Sequence, residues 1–207
     1  MASASPTLPP RTWCATHWCS ASWKPTTPST RATRTTDVPL TIDIAVASED
    51  DGLPSSELIE RWIGAALEAG AHQPDAEVSV CIVDEAESQA LNHRYRGKDK
   101  PTNVLSFPAD LPAELELPLL GDLVVCAPVV AREAKEQGKS PEAHWAHMLV
   151  HGTLHLLGYD HIDPEEADQM ESLETRILTR LHYPSPYDEA PIPGASQPTG
   201  QIQTHER

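Results

Sequence analysis

Three histidines stand at a spacing that constrains the local fold more than any other feature of the sequence. His151, His155 and His161 follow an H-x3-H-x5-H pattern, with Gly158 between the second and the third. Four residues make slightly more than one helical turn, so His151 and His155 project from one face of a helix. Glycine accepts positive φ, which lets the chain reverse and return His161 to that face. The sequence therefore predicts a helix that ends at Gly158 beside three converging imidazoles.

The same three side chains predict a metal site. Three neutral imidazole nitrogens suit Zn²⁺ and leave a fourth tetrahedral position for water, whose pKa the metal lowers toward neutrality. We therefore expect one Zn²⁺ cofactor, held by His151, His155 and His161 plus water, at the end of a central helix. Zinc proteases of the H-E-x-x-H-x-x-G-x-x-H pattern share this frame, but Gly152 stands where their glutamate acts as general base. That glycine has no side chain to move a proton, which favours a hydrolytic reaction other than peptide cleavage.

Alternating strand and helix patterns run through residues 38–183. Apolar or alternating segments predict strands over 40–47, 78–83, 104–107 and 119–126, and helical spacing predicts helices over 54–69, 85–95, 128–137, 141–157 and from 163 onward. Asp84 and Ser140 are candidate N-caps, Asp163 marks the start of the last helix, and Ala86, Ala90 and Leu91 are predicted to face inward. This order favours an α+β (α/β-type) single domain, in which about five helices pack on a small mixed sheet of about four strands.

The two ends of the chain lack such patterns. Residues 1–37 contain 14 Ser/Thr, five Pro and three Trp with no sustained period. We expect a disordered arm there, or a translation start assigned too far upstream. Residues 184–207 contain five prolines and no periodic apolar pattern, which predicts a disordered tail.

Charge and composition exclude several classes of partner. Fifteen Lys and Arg stand against 31 Asp and Glu, a net charge of −16, whereas a DNA-coating protein needs many cations to neutralise phosphates. We therefore expect no DNA partner. Neither a run of 18 apolar residues nor a secretory signal core occurs, so we expect no membrane partner. Four scattered cysteines fit a reduced compartment, which predicts a cytoplasmic location.

One short segment reverses the acidic balance. Arg94, Arg96, Lys98 and Lys100 stand against the single acid Asp99. Such a patch can hold phosphates while the surrounding negative field discourages indiscriminate binding. The alternative is a solvated helix end, because Lys and Arg favour the last turn of a helix.

Two stretches resemble the YbeY family of bacterial endoribonucleases. Residues 147–161, HMLVHGTLHLLGYDH, are similar to its H-G-x-L-H-L-x-G-Y-D-H signature, and residues 91–108, LNHRYRGKDKPTNVLSFP, are similar to L-N-x-x-Y-R-x-x-x-x-x-T-D-V-L-S-F-P. The likeness spans roughly residues 40–182. Asn103 stands where Asp is also common in the family. Its side chain is either a local hydrogen-bonding group or a position that needs charge, and the two alternatives differ in their consequence for activity.

The resemblance implies that residues 38–183 are a zinc-dependent endoribonuclease domain. Its implied roles are cleavage of single-stranded ribosomal RNA, 3′-end maturation of 16S rRNA and ribosome quality control. The implied partners are a small ribosomal subunit protein and a ribosome-assembly GTPase. Arg96 corresponds to the family's arginine, and a bidentate guanidinium suits a catalytic contact to the scissile phosphate. Lys98 and Lys100 are candidate substrate-binding residues.

Two residues near the histidine pattern have more than one interpretation. His147 lies one turn before His151 on the same face, so it is a candidate catalytic proton donor or phosphate contact, or else a support for a ligand. Asp160 either hydrogen-bonds a ligand imidazole or caps the turn. The nucleophile, water or the RNA 2′-hydroxyl, stays open.

Two other functions remain as alternatives to the nuclease. One is a metal hydrolase of another substrate class, such as a peptide or an amide. The other is a non-catalytic zinc-containing ribosome-assembly factor. A structural zinc site usually has four protein ligands, commonly with Cys, and neither Cys81 nor Cys126 is near the histidines in sequence, so three ligands favour catalysis.

Overall fold

A computed structural model describes residues 40–70, 76–109 and 119–188 of the chain. The described residues form four strands: β1 Thr41–Val46, β2 Glu77–Val83, β3 Val104–Pro108 and β4 Leu119–Cys126. They also form five helices: α1 Ser56–Gly70, α2 Glu85–Arg96, α3 Ala127–Glu136, α4 Pro141–Leu156 and α5 Pro164–Arg180. The arm predicted over residues 1–37 lies outside the described residues, as do residues 189–207 of the predicted tail. The predicted start of the tail at residue 184 is too early, because Pro186 and Tyr187 hydrogen-bond the folded domain.

The strands form one mixed sheet in the order β1-β2-β4-β3. β1 pairs parallel with β2, and β2 pairs parallel with β4. β3 is an antiparallel edge strand that pairs Val104 with Val125 and Phe107 with Asp122. A small mixed sheet packed by helices in a single α+β domain confirms the predicted fold class.

The two faces of the sheet carry different helices, because alternate residues of a strand point to opposite sides. Val80, Leu123 and Val125 belong to the larger core, which they share with α1, α4 and α5. Leu105 and Val124 face the other side, in a smaller cluster with α2 and the start of α3. α4 is the central helix, and 11 of its residues are buried. No helix in residues 40–70, 76–109 or 119–188 combines the length and apolar content needed to cross a membrane.

Capping residues set the ends of the helices around the histidine segment. The Ser140 side chain accepts a hydrogen bond from the Ala143 amide at the start of α4, and the Asp163 side chain accepts one from Glu165 at the start of α5. Gly158 has φ +90°, as the predicted chain reversal requires. Asp84 lies at the predicted N-cap position of α2, but its carboxylate forms no capping hydrogen bond and instead accepts one from the Ser48 hydroxyl at 2.5 Å.

The predicted inward face of α2 is also wrong in part. Ala86 and Ala90 are exposed, whereas Ser88, Leu91 and Asn92 are buried. The polar pair is buried because each side chain hydrogen-bonds the backbone of the following loop. Those bonds satisfy the Ser88 hydroxyl and engage the Asn92 amide nitrogen inside the protein, so the helix turns a polar stripe inward.

Candidate metal centre and basic loop

The structure brings the three predicted metal ligands together. α4 presents His151 and His155 one turn apart, and the reversal after Gly158 returns His161 beside them. The ring centroids lie 4.6 Å apart for His151 and His155, 4.9 Å for His155 and His161 and 5.5 Å for His151 and His161. One nitrogen from each ring lies within 4.8 Å of the other two. Three ligand atoms can therefore reach one ion.

Hydrogen bonds fix which nitrogen of each helical histidine is free. The His151 Nδ1–H donates to Glu174 Oε1 at 2.7 Å, and the His155 Nδ1–H donates to the Tyr159 carbonyl oxygen at 2.9 Å. Both partners accept only, so in the neutral rings both Nε2 atoms carry lone pairs. These two atoms face each other at 3.1 Å. Two lone pairs so close need a cation, so the donor set fits a metal ion.

His155 is held in the form that a metal binds. Burial lowers the pKa of His155, and the neighbouring His151 and His161 lower it further. A neutral imidazole is the ligating form. His161 is more exposed and lies on the turn, where its backbone amide donates to Asp160 Oδ1 at 2.7 Å. The His161 Nδ1 atom is farther from the same oxygen, at 3.5 Å. Of the two interpretations of Asp160, the geometry therefore favours the one in which it caps the turn.

Glu174, on α5, lies beneath the histidines and is fully buried. Its carboxylate accepts hydrogen bonds from His151, from His147 Nε2 at 3.2 Å and from the Tyr187 hydroxyl. Burial raises the pKa of this carboxyl, but the hydrogen bonds and the nearby His151 outweigh burial and bring the pKa to about 2. Glu174 is therefore an ionised acceptor at neutral pH.

His147 donates to Glu174 and is only 13% exposed. His147, His151 and Glu174 form a second group whose ligand atoms are close enough for an ion. In this group His147 and His151 each lie at hydrogen-bond distance from Glu174, and the His151 Nε2 atom faces His155 instead. This geometry favours His147 and Glu174 as supports for the site formed by the other three imidazoles, His151, His155 and His161. Burial also lowers the pKa of His147. Of the interpretations open for His147, the geometry favours a support for a ligand.

Gly152 faces the sheet at a close contact between α4 and strands β3 and β4. A Cβ at this position would lie 2.9 Å from Leu123 Cδ2 and 3.1 Å from Val104 Cγ2. The Ser106 hydroxyl donates to the Gly152 carbonyl oxygen at 3.1 Å. The position at which zinc proteases carry a general-base glutamate is thus occupied here by a glycine that packs closely against the sheet.

The basic loop, residues 94–100, is held by the two buried polar residues of α2. Ser88 Oγ donates to the Thr102 carbonyl at 2.8 Å, and the Thr102 amide donates to Ser88 Oγ at 3.0 Å. Asn92 Nδ2 donates to the Lys100 carbonyl oxygen at 2.7 Å. Gly97, with φ +69°, ends the helix. The backbone of the loop is therefore attached to α2 at its start, where the helix ends at Gly97, and again at Lys100 and Thr102.

Arg96, Lys98 and Lys100 are exposed, and their side chains form no hydrogen bond or ion pair with the described residues. No contact within residues 40–70, 76–109 and 119–188 joins these three side chains to the histidines. The basic loop begins in the last turn of α2, whereas the histidines lie on α4 and on the turn after it, on the opposite face of the sheet. Within the described part of the chain, the three cations therefore have no competing partner.

Both segments nevertheless approach one end of the edge strand β3. Tyr95, next to Arg96, packs edge-on against Phe107 at 5.0 Å. A Cβ on Gly121, opposite Pro108, would lie 3.0 Å from Leu156 Cδ2 and 2.3 Å from the Phe107 carbonyl oxygen. The ends of α2 and α4 therefore reach the same end of β3 from opposite faces of the sheet.

Asn103 is fully engaged in local hydrogen bonds. Its Oδ1 accepts from the Val104 amide at 2.7 Å, and its Nδ2 donates to Glu133 Oε2 at 3.0 Å. His144 Nε2 lies 3.0 Å from the same Glu133 oxygen. The hydrogen bond from His144 lowers the pKa of Glu133 most, ahead of the opposing effect of burial, and Asn103 lowers it further. Of the two interpretations of Asn103, the structure favours the local one.

Sequence reasoning missed Glu174, Tyr187 and Glu133. A signal for Glu174 existed, because this acid interrupts the apolar stripe of α5 four residues after Met170 and three before Ile177. A charge on a buried stripe indicates a buried partner. Tyr187 carried no signal, since it follows the last periodic segment, and Glu133 resembles any exposed acid of a surface helix.

Comparison with known proteins places the chain in a family. The profile of the family described as Endoribonuclease YbeY matches residues 44–182. An Endoribonuclease YbeY from Cellvibrio japonicus (strain Ueda107) is 61% identical over 154 residues, which is 74% of this chain and 86% of that protein. The solution structure of TM1509 from Thermotoga maritima is 27% identical, with a TM-score of 0.46 over 69% of this chain and 92% of that one. The chain belongs to the YbeY family of endoribonucleases.

Proposed function

We propose that this chain is a Zn²⁺-dependent endoribonuclease that cleaves single-stranded ribosomal RNA in the cytoplasm. The observation that carries the metal dependence is the 3.1 Å separation of the His151 and His155 Nε2 atoms. Both atoms are unprotonated in the neutral rings, because the Nδ1–H of each ring donates to a separate oxygen. Membership of the endoribonuclease family supports RNA as the substrate.

The proposed site divides the work among three groups of residues. His151, His155 and His161 would hold the ion, while Glu174 and His147 support His151 from beneath. When bound, zinc supplies Lewis acidity toward a phosphodiester. Because His161 lies on an exposed turn, one side of the site faces solvent and can admit a polynucleotide.

Arg96, Lys98 and Lys100 would bind the RNA backbone. Their cationic groups are exposed and have no acidic partner among the described residues, so no ion pair with those residues has to break before a phosphate binds. A guanidinium can hold two phosphate oxygens at once and stabilise the charge that develops on them, which suits Arg96 to the scissile phosphate. The lysines act as point charges on flanking phosphates.

The resemblance to the family extends this proposal to cellular roles. On that basis we propose that the chain acts in the 3′-end maturation of 16S rRNA and in ribosome quality control. We also propose a small ribosomal subunit protein and a ribosome-assembly GTPase as partners. The strongly acidic composition supports this assignment, because a chain of net charge −16 gains little affinity from general attraction to RNA and benefits from a protein partner.

The deciding experiment compares purified, chelator-treated and zinc-restored protein on labelled RNA. One RNA is an unstructured strand, and the other is the same strand annealed to its complement. We expect cleavage of the single strand to disappear with the metal and to return with zinc, and the duplex to be cut more slowly. Cleavage that survives complete removal of metal would contradict the metal dependence. Failure of zinc-loaded protein to cut the single strand would contradict the nuclease assignment.

A further inference from the structure

Residues 183–188, here named the C-terminal strap, fold back onto the domain after α5. The Tyr183 hydroxyl donates to Glu142 Oε1 at 2.5 Å and accepts from Trp62 Nε1 at 3.2 Å. The ring of Tyr183 packs edge-on against the Trp62 indole at 6.2 Å. The start of the strap is therefore anchored to α1 and α4.

The next part of the strap reaches the buried acid beneath the histidines. Lys139 Nζ donates to the Pro186 carbonyl oxygen at 2.6 Å, which fixes the residue before Tyr187. The Tyr187 hydroxyl donates to Glu174 Oε2, and its ring stands edge-on to His147 at 5.8 Å. Although Tyr187 is 45% exposed, its polar end points inward. The strap thus places a hydroxyl on the carboxylate that holds His151.

The two oxygens of Glu174 have separate partners. Oε1 binds the His151 Nδ1–H at 2.7 Å, and Oε2 is shared by Tyr187 and His147. Because Glu174 is fully buried, water cannot replace a lost partner without opening the structure. Partners on both oxygens hold the plane of the carboxylate, and that plane sets the direction of the His151 ring.

We propose that Tyr187 and Glu174 are positioning residues that set metal affinity through His151. The inference rests on the metal site of the proposed function. A carboxylate on the far nitrogen of a ligand imidazole fixes its tautomer and raises its basicity, and loss of such a partner typically costs about 10- to 100-fold in metal affinity. Tyr187 acts one bond further away, through the orientation of Glu174.

The test measures zinc affinity of the full-length chain by competition with a chromophoric chelator. The variants are Glu174→Gln, Tyr187→Phe and the matched control Tyr183→Phe, which removes a hydroxyl from the same strap without touching Glu174. We expect affinity to fall by about tenfold or more for Glu174→Gln and by a smaller factor for Tyr187→Phe, with Tyr183→Phe at the wild-type value. The visible spectrum of Co²⁺-loaded protein should shift in the first two variants only.

Thermal unfolding of the metal-free variants separates positioning from general stability. A Tyr187→Phe protein that keeps wild-type zinc affinity would overturn the inference and leave the proposed function intact. An equal loss of affinity in Tyr183→Phe would also overturn it, because the effect would then follow strap docking as a whole. A wild-type chain that binds no zinc would overturn the proposed metal site itself.

Discussion

The Nε2 atoms of His151 and His155 lie 3.1 Å apart, while the Nδ1 atom of each ring donates its proton to a separate oxygen acceptor. The two acceptors come from different places, a carboxylate on α5 and the backbone carbonyl after Gly158. The helix supplies the spacing of the two ligands, and the elements that follow it supply their tautomers. Neither ring can turn its proton toward the other without breaking a bond that the fold provides.

The first prediction concerns loss of one of these ligands. His155→Ala should abolish zinc retention, because the two remaining histidines cannot complete a three-ligand site. The metal-free fold should persist, since the His155 side chain is only partly buried. Zinc content after dialysis and thermal unfolding measure the two effects. The matched control is His182→Asn, at an exposed position with φ +69° that asparagine tolerates. Stoichiometric zinc in the His155 variant would contradict the assignment.

The second prediction concerns the close contact at Gly152. Gly152→Ala should lower the free energy of unfolding by about 1 to 3 kcal/mol, because its Cβ must displace Leu123 and Val104 in a packed core. Gly64→Ala on α1 is the matched control, since its Cβ would meet Leu40 at an ordinary 3.5 Å. Alanine's higher helix propensity should leave that control unchanged or stabilised by up to about 1 kcal/mol. Equal urea midpoints for the two variants would refute the packing argument.

Local patterns predict most of this fold because its elements are locally encoded. The apolar runs of β2 and β4, the cap at Ser140, the helix start at Asp163 and the reversal at Gly158 all appear in the structure at the predicted places. The strand order was not predictable, since pairing depends on long-range packing that periodicity does not describe.

The candidate site likewise has one part that local sequence predicts and another that depends on long-range contacts. The histidine spacing is local and gave the three clustered rings, whereas Glu174 reaches His151 across 23 residues of sequence. For helix α2, local sequence predicted the wrong buried face. Alanines suggested an inward face, but Ser88 and Asn92 are buried because a loop with which they hydrogen-bond folds over them. Propensity and hydropathy do not register a polar group whose partner comes from another segment.

The third prediction concerns the amide at position 103. Asn103→Asp should destabilise the protein by about 1 to 3 kcal/mol at neutral pH, because it replaces a donor 3.0 Å from Glu133 Oε2 with a second negative oxygen. Adding Glu133→Gln should restore much of the loss, since the new amide can donate to the introduced carboxylate. Urea unfolding of both single variants and the double variant gives the coupling energy. A double variant with strictly additive losses would argue against direct contact.

The fourth prediction follows from the lowered pKa of Glu133, which the His144 hydrogen bond chiefly causes. A carboxyl with a lower pKa in the folded state stabilises the fold above its unfolded pKa, about 4.3. That stabilisation is lost as pH falls through the folded value. Glu133→Gln should therefore be less stable than wild type near neutral pH, and the difference should shrink in acid. Unfolding free energies across this range test the trend, with the exposed Glu60→Gln as control. A difference that is constant with pH would contradict it.

The last prediction separates RNA binding from metal binding. Arg96→Glu should keep zinc, because Arg96 does not contact the histidines, but it should slow cleavage of single-stranded RNA by about a hundredfold or more, the typical cost of losing one stabilising donor. Arg61→Glu makes the same charge change at an exposed position on α1 and should cleave near the wild-type rate. Replacing Lys98 or Lys100 with Gln should instead weaken RNA binding and reduce its salt dependence by about one phosphate contact. Wild-type cleavage by the Arg96 variant would remove that residue from the site. Equal losses in the Arg96 and Arg61 variants would mean that net charge, rather than a positioned guanidinium, governs the rate.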